Sequence, residues 1–184
     1  YKTRIKEMLD TELISKSDLI YKTQKAVITA LNGNIQKVES EIETLIETDP
    51  ELKNNFDLIR TIKGVGKIVA ARMLAVTSNF KKFSNARKFN CYAGLAPFKH
   101  ESGTSIRGRS RVSHLANKEI KTVLNLAAFC AIRFNQELKL YYEKRVSEGM
   151  KRMSCINIIR AKIVGRIFAV VKRQTPYDAQ TLAA

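Results

Sequence analysis

The chain of 184 residues is long enough for one domain, or for a domain with a helical arm, and 45% of its residues are apolar, enough for a buried core. It carries 33 Lys and Arg residues against 17 Asp and Glu, a net charge of +16. Self-repulsion of that size destabilises a compact state unless a polyanion offsets it, so the composition favours nucleic acid as the partner. No apolar run is long enough to span a bilayer and no signal peptide is recognisable, so a membrane partner is not expected.

The positive charge is concentrated in the second part of the chain. Residues 1–62 hold 9 basic and 11 acidic residues, whereas residues 63–184 hold 24 basic and 6 acidic residues. Nucleic-acid contacts are therefore expected after residue 62. The chain starts at Tyr1 within a pattern that is already helical, and we expect it to be a piece of a longer protein.

The cysteines and histidines indicate neither a disulfide framework nor a metal site. Cys91, Cys130 and Cys155 lie far apart, form no Cys-x-x-Cys pair and are odd in number. A reduced, cytoplasmic protein is expected. His100 and His114 have no ligand spacing with those cysteines, so no metal site and no cofactor are predicted in this chain.

Residues 1–48 form a polar segment with an apolar stripe at helical spacing. The stripe consists of Ile20, Val27, Leu31, Ile35, Val38, Ile42 and Leu45. This spacing predicts a coiled-coil arm, either within one chain or between two chains, and with it a homo-oligomer, a dimer or a tetramer. Gly33 predicts a bend, or a turn between two antiparallel helices.

A helix pair is predicted over about residues 58–75, near the start of a main domain that covers residues 49–175. Its first helix should begin at Asp49-Pro50-Glu51, which has the pattern of a helix cap followed by proline. Gly64-Val65-Gly66 forms the turn, and Lys63 and Lys67 flank it.

The two glycines allow a sharp turn whose backbone N–H groups, at the start of the second helix, can receive a phosphate. The pattern predicts a helix-hairpin-helix that contacts the DNA backbone through Lys63, Gly64, Gly66 and Lys67. A hairpin that only packs two helices together also favours Gly-x-Gly and stays the alternative.

The rest of the main domain is predicted to be helical, which gives an all-α fold class. Helices are expected from Ser84, with Ser84 or Asn85 as the cap, and over about residues 115–134, 136–147 and 154–172. In the last of these helices, Arg160, Lys162, Arg166 and Lys172 alternate with the isoleucines, which predicts a polar face. The tail, residues 176–184, is expected to fray.

Residues 98–113 are the exception and predict an irregular loop that is rich in arginine and serine. A serine hydroxyl can attack a DNA phosphodiester, and arginines can neutralise the charge that develops on the phosphate. Ser102 precedes a glycine and follows Glu101, a candidate base. From the chemistry alone, Ser102, Ser105, Ser110 and Ser113 could equally be loop or cap residues, and a basic DNA-binding loop stays the alternative.

Several blocks of this chain resemble the transposase domain of one bacterial insertion-sequence family. The blocks are Ile62-Lys63-Gly64-Val65-Gly66, Phe80-x-x-Phe83-x-x-Ala86-Arg87, Tyr92-Ala93-Gly94-Leu95-Ala96-Pro97, Glu101-Ser102-Gly103 and a helix with Ala127-Ala128. They cover about residues 58–170. The family is related to the Piv DNA invertases and is described as bridge-RNA-guided serine recombinases.

The resemblance implies that Ser102 is the nucleophile and that the acids of the reaction lie in an N-terminal RuvC-like domain, which holds Mg²⁺ and is missing from this chain. It also implies DNA as a partner and guide RNA as a further candidate. Arg107, Arg109 and Arg111 are assigned to DNA binding because of their charge. Asn117 and Lys118 are also assigned to DNA binding. The family usually has Gly-Asn where this chain has Ala116-Asn117, which weakens the assignment of Asn117.

The leading hypothesis is therefore the DNA-binding, serine-bearing part of an insertion-sequence recombinase, inactive without its missing domain. A non-catalytic helix-hairpin-helix module that binds nucleic acid is the alternative. A coiled-coil assembly protein is a third reading, which leaves the basic region unexplained.

Overall fold

A computed structural model describes residues 18–102 and 106–178 of the chain. The described elements are helices α1 (Asp18–Thr48), α2 (Pro50–Arg60), α3 (Lys67–Thr77) and α4 (Ala86–Tyr92), strands β1 (Phe98–Ser102) and β2 (Ile106–Arg111), and helices α5 (Lys118–Phe134), α6 (Gln136–Ser147) and α7 (Arg152–Arg173). The chain separates into two compact units, residues 1–48 and 49–184. The helical prediction is confirmed, with one two-stranded sheet added to it.

The first unit contains α1, which continues through Gly33 without a break. The predicted turn between two antiparallel helices at this glycine is therefore wrong, because Gly33 lowers helix propensity but does not prevent a helix. Apart from Ile20, whose side chain lies outside the described part, the stripe residues are 36–67% exposed. No described helix is long and apolar enough to cross a membrane.

Side-chain caps explain where α2, α4 and α6 begin. Asp49 accepts hydrogen bonds from the backbone N–H groups of Glu51 and Leu52, and Pro50 takes the first helical position, as predicted. Asn85 caps α4 through the N–H of Lys88. Asn135 likewise caps α6, whose bounds match the prediction.

The core of the second unit is built around α7, which packs against α2, α4, α5 and α6. The fully buried residues of α7 share one stripe and comprise Cys155, Ile159, Ile163, Val164 and Ile167. Phe89 of α4 is also fully buried and packs against Phe168 of α7, with 5.7 Å between the ring centres. Burial of this apolar surface holds α4, and hence the start of β1, on the core.

One prediction about α7 is corrected by this packing, and the prediction that the tail frays is tested only at residues 176–178, since residues 179–184 lie outside the described part. Arg160 and Arg166, expected on a polar face, are only 4% and 8% exposed. Arg160 follows Ile156 by four residues and precedes Ile163 by three, so helical spacing puts it on the apolar stripe. In the tail, the N–H of Tyr177 donates to Thr61 Oγ1 over 2.8 Å, so the chain is still docked at that point.

The predicted irregular loop is a β-hairpin. β1 and β2 pair in antiparallel register, with Ser102 opposite Ile106, Glu101 opposite Arg107, His100 opposite Gly108 and Phe98 opposite Arg111. The charged, glycine-containing sequence lacks the apolar alternation by which a half-buried strand is recognised. Backbone pairing does not need that alternation, because it satisfies N–H and C=O groups whatever the side chains are.

Candidate nucleic-acid interface

The turn between α2 and α3 contains two glycines whose structural roles differ. Gly64 has a φ of +98°, and a Cβ added to it would lie 2.6 Å from the Cβ of Ala131 and 2.7 Å from that residue's backbone. A side chain at this position would be strained and would collide with α5. Packing of the turn on α5 therefore explains Gly64 fully, without any ligand.

Gly66 has no such packing role. It is exposed, its φ is −90°, and an added Cβ would meet nothing within 4 Å. It occupies the N-cap of α3 and makes no side-chain cap hydrogen bond, so this helix starts without the polar side chain that usually lies at an N-cap. Lys63 and Lys67 are exposed on either side.

The hairpin register determines which predicted residues share a face. Directly opposed residues of an antiparallel pair lie on the same face, and successive residues of a strand alternate between faces. Ser102 therefore shares its face with His100 and Gly108, while Glu101 and Arg107 belong to the other face. Glu101, the candidate base, is not on the face of Ser102.

A register shift between Phe98 and His100 interrupts the arginine row. Over this interval β2 has one more residue than β1. Phe98 is on the same face of β1 as Ser102, and Arg111 pairs with Phe98, so the position of Arg111 belongs to that face. Arg107 is on the opposite face, and Arg109 lies within the shifted segment. Arg111 pairs with Phe98, four positions before Ser102 on β1, so the two backbone positions lie about 13 Å apart along the hairpin.

The surroundings of Ser102 are open where the structure describes them. Gly108 and Ser110 of β2 are exposed. The side chains of Ser102, Arg107, Arg109 and Arg111 lie outside the described part, as do residues 103–105 with Gly103 and Ser105. The backbone thus fixes the face and the register of Ser102 next to the turn.

The base of the hairpin is fixed by Asn117, which caps α5. Its Oδ1 accepts from Ile120 N–H over 3.0 Å, its Nδ2 donates to the hydroxyl of Tyr92 over 2.9 Å, and its own N–H donates to the carbonyl of Tyr92. Both polar atoms of the side chain are thus engaged within the fold. Ser113, the predicted cap, instead accepts from Leu115 N–H in the turn before α5.

Ala116, where the resembling family usually has glycine, packs against Gly94. Gly94 has a φ of +65°, and a Cβ added there would lie 2.6 Å from the Cβ of Ala116. The absent side chain at Gly94 leaves space for the methyl group at Ala116. The departure from the family pattern is therefore accommodated.

The turn and the hairpin lie near opposite ends of α5. Gly64 approaches Ala131 close to the C-terminal end of α5, whereas Asn117 anchors the hairpin at its N-terminal end. The 14 residues between these anchor points correspond to about 20 Å of helix. A nucleic acid that contacts both elements must extend along the length of α5.

A buried arginine that the sequence reasoning did not assign to the site lies between these elements. Arg160 donates from Nη2 to Asn125 Oδ1 over 2.6 Å and from Nη1 to Asn157 Oδ1 over 3.3 Å. Burial lowers its pKa, and burial together with the charge of Arg160 lowers the pKa of Lys121. The sequence signal was a charged residue at an apolar position of a helical stripe.

The metal-ligating side chains of the described residues form no group of three or more. Cys91, Cys130 and Cys155 are free thiols, and burial raises the pKa of Cys155. The Mg²⁺ implied by the resemblance therefore finds no fitting set of ligands among them.

Comparison with known proteins gives a consistent set of relatives. Residues 56–143 match the family model described as Transposase IS116/IS110/IS902 family. The chain is 29% identical over 149 residues to the pilin gene-inverting protein of Moraxella lacunata, which covers 80% of the chain and 46% of that protein. It is 24% identical over 163 residues to an uncharacterized 43.6 kDa protein of insertion element IS110 from Streptomyces coelicolor, and the aligned segment covers 89% of the chain and 39% of that protein.

The chain thus spans less than half the length of each of these two relatives. The matched segment contains the turn with Gly64 and Gly66, the whole hairpin and all of α5. Residues 56–143 are therefore similar to the Transposase IS116/IS110/IS902 family, and the chain as a whole is similar to a pilin gene-inverting protein and to insertion-element proteins.

Proposed function

We propose that this chain is the DNA-binding, serine-bearing part of a recombinase that breaks and rejoins DNA through a phosphoserine link at Ser102. The observation that carries the proposal is the position of Ser102 at the end of β1, on the same hairpin face as the exposed Gly108. A glycine opposite His100 leaves that face without a side chain at one position, which favours close approach of a nucleic-acid backbone. The names of the relatives, which refer to gene inversion and insertion elements, support the same class of reaction.

The chemistry of the proposed step requires no nucleotide cofactor. Ser102 Oγ forms a bond to phosphorus, the bond from phosphorus to one strand oxygen breaks, and that oxygen leaves as a hydroxyl after it gains a proton. The serine proton passes to a base. Because the phosphodiester is conserved as a phosphoserine ester, attack by a second strand hydroxyl can rejoin DNA and release the serine.

The chain alone is proposed to bind DNA without cutting it. The N-terminal RuvC-like domain of the full-length protein is the proposed source of the acidic groups and of Mg²⁺. The described residues contribute strand binding and the serine. Guide RNA is a second nucleic-acid partner within this proposal.

The turn between α2 and α3 is proposed to act as a helix-hairpin-helix. Gly66 at the N-cap of α3 has no side chain to keep a phosphate away from the helix start, and exposed Lys63 and Lys67 supply charge. Such contacts hold phosphates without reading bases. If six to ten phosphates are neutralised in total, affinity falls by roughly 10³–10⁵ between 50 and 200 mM salt.

Helix α1 is proposed to pair with a second copy of itself. Its stripe residues from Val27 to Leu45 are exposed and keep coiled-coil spacing. Recombination joins more than one DNA segment, and a dimeric or tetrameric assembly brings two copies of Ser102 together. Sedimentation of the chain with and without residues 1–48 measures this directly.

Covalent capture tests the central step. The full-length protein is incubated with its DNA and Mg²⁺, denatured, and examined for DNA that stays attached to protein. We expect an adduct with the wild type and with Ser110→Ala, an exposed serine on the same hairpin, and none with Ser102→Ala. An adduct that survives Ser102→Ala rules out this nucleophile.

A non-catalytic nucleic-acid-binding module is the second candidate. It is favoured by one observation, that Glu101 lies on the hairpin face opposite to Ser102 and so is poorly placed as its base. Both candidates bind DNA with a strong dependence on salt. Only the recombinase forms an adduct, so the capture experiment separates the two.

A further inference from the structure

A cleft of about 940 Å³ lies in the second unit, between α5, α7 and the base of the hairpin. It is referred to here as the Arg160 cleft and is lined by Asn90, Lys118, Lys121, Asn125, Asn157 and Arg160, among others. Leu95 to Pro97, which lead into β1, and Val112, which follows β2, form the wall below the hairpin. Its volume is within the range of ligand-binding pockets.

Arg160 in this cleft is a buried cation without a counter-ion among the described residues. Its hydrogen-bond partners are the amide oxygens of Asn125 and Asn157, and its buried Nε has no partner within the described part of the chain. Amide oxygens satisfy hydrogen bonds but do not neutralise a charge. A buried charge in that condition is costly, and a bound anion would compensate it.

Arg166, six residues further along α7, shows what compensation looks like in the same protein. It is 8% exposed, against 4% for Arg160, and its Nη2 donates to both carboxylate oxygens of Glu137, over 2.6 and 2.7 Å. Its guanidinium also lies 5.0 Å from the ring centre of Tyr177. Each of the two arginines has one buried nitrogen without a partner, but Arg166 has an acid and an aromatic ring beside it, whereas Arg160 has only amide oxygens among the described residues.

The rest of the cleft adds positive charge and no negative charge. Lys118 and Lys121 line it with Arg160, and its described lining contains neither Asp nor Glu. Burial, and after it the neighbouring charge of Arg160, lowers the pKa of Lys121. Three cations that face one space favour a polyvalent anion such as a phosphate.

The cleft also contains an unpaired acceptor, which distinguishes a nucleotide from a simple anion. Asn90 Oδ1 is buried and has no partner among the described residues. A phosphate oxygen cannot donate to it, but an amino group of a base or a sugar hydroxyl can. Once the Asn90 side chain turns toward the cleft, the polar groups match an anion that carries a hydrogen-bond donor.

We propose that the Arg160 cleft binds one nucleotide of a nucleic-acid strand, with its phosphate held by Arg160, Lys118 and Lys121. The strand would run along the hairpin, since Pro97 at the base of β1 is five residues, or about 17 Å, from Ser102. The cleft then holds the strand several nucleotides from the point of cleavage. The identity of the ligand rests on the proposed function, whereas the need for an anion rests on Arg160 alone.

The first test measures binding of the full-length protein to a single-stranded DNA oligonucleotide at several salt concentrations. For Arg160→Met and Lys121→Ala, we expect affinity to fall roughly tenfold and the salt slope to decrease by about 0.7 for each lost phosphate contact. Lys139→Ala, an exposed lysine of α6 outside the cleft, should change neither. Unchanged slopes for both cleft variants overturn the proposal.

Thermal unfolding separates a binding role from a structural role. Arg160→Met removes an uncompensated charge and should leave the melting temperature unchanged or higher, whereas Arg166→Met leaves Glu137 unpaired and should lower it. A marked loss of stability in Arg160→Met with an unchanged salt slope assigns Arg160 to the core and overturns the proposal. If Arg160→Met does not fold, the slope of Lys121→Ala decides.

Acylation of Lys121 distinguishes a nucleic-acid strand from free phosphate as the ligand. The lysine should be modified readily in the free protein and protected by the oligonucleotide, but not by inorganic phosphate at the same phosphate concentration. Equal protection by inorganic phosphate overturns the assignment to a strand. If an adduct forms at Ser102 but the cleft variants change nothing, the proposed binding role of the cleft is refuted and the recombinase function is not. If the cleft variants weaken binding but no adduct forms, the recombinase function is refuted and the binding role of the cleft is not.

Discussion

The turn between α2 and α3 and the hairpin between α4 and α5 both join helices and both contain glycine and basic residues, yet packing explains them to different degrees. In the turn, Ile62 and Val65 are buried and Gly64 allows close contact with Ala131. In the hairpin, Gly108 and Ser110 are exposed. Packing therefore accounts for much of the turn and leaves Gly108 and Ser110 of the hairpin unexplained.

The difference teaches that a residue type associated with a binding site is informative only where the fold does not already require it. Gly64 and Gly66 have the same sequence signal, but only Gly66 is free of a packing role. Likewise, Arg160 and Arg166 are both buried in α7, but only Arg166 has a carboxylate partner. We therefore expect functional contacts at Gly66, which has no packing role, and at Arg160, which has no carboxylate partner among the described residues.

The largest effect is expected from Gly64→Ala, which would sharpen the contrast between the two glycines. A side chain at positive φ that also collides with Ala131 should cost about 2–4 kcal/mol of folding stability. Gly66→Ala is the matched control and should change stability by less than about 1 kcal/mol while weakening DNA binding. Chemical denaturation measures both, and equal losses for the two variants contradict the distinction.

A smaller loss is expected from Asn117→Ala at the base of the hairpin. The variant loses the cap of α5 and the hydrogen bond to the Tyr92 hydroxyl, which together should cost about 2 kcal/mol. Tyr92→Phe removes the second contact only and should cost about 1 kcal/mol. If Asn117→Ala instead keeps full stability and loses DNA affinity, Asn117 is a ligand contact, as the sequence first suggested.

The smallest effect distinguishes the two faces of the hairpin. Arg107→Ala and Arg111→Ala should each reduce the salt slope of DNA binding by about one contact, because both remove a cation. Only Arg111 shares a face with Ser102, so only Arg111→Ala should also slow adduct formation in the full-length protein, by roughly tenfold. Equal effects on adduct formation show that the register shift does not separate these arginines.

The sequence predicted most of the helical framework, because caps and apolar spacing are local signals. Asp49-Pro50 and Asn85 marked helix starts, and residues 136–147 were predicted with the observed bounds. The hairpin was not predicted because backbone hydrogen bonds pair its strands, and its side chains do not show the apolar alternation that marks a strand in a sequence. The contact of Gly64 with Ala131 links residues 67 positions apart, and no local pattern encodes it.

The candidate site was predictable only in part, for a similar reason. Ser102 and the surrounding basic residues were singled out by chemistry and by resemblance, but the chemistry did not prefer Ser102 over its neighbouring serines. The division of the arginines between two faces depends on one register shift. In the sequence, Arg160 was recognisable only as a charged residue in an apolar stripe. That amide oxygens and no carboxylate surround it among the described residues is a property of the folded protein.

Mapping the attachment site of a covalent DNA adduct tests the central claim most directly. After DNA digestion, trypsin should release residues 100–107 as one peptide, which also contains Thr104 and Ser105, so fragment ions must assign the modified residue. The account predicts a phosphate remnant on Ser102. A remnant on any other residue, or the absence of an adduct under conditions that support recombination, would contradict it.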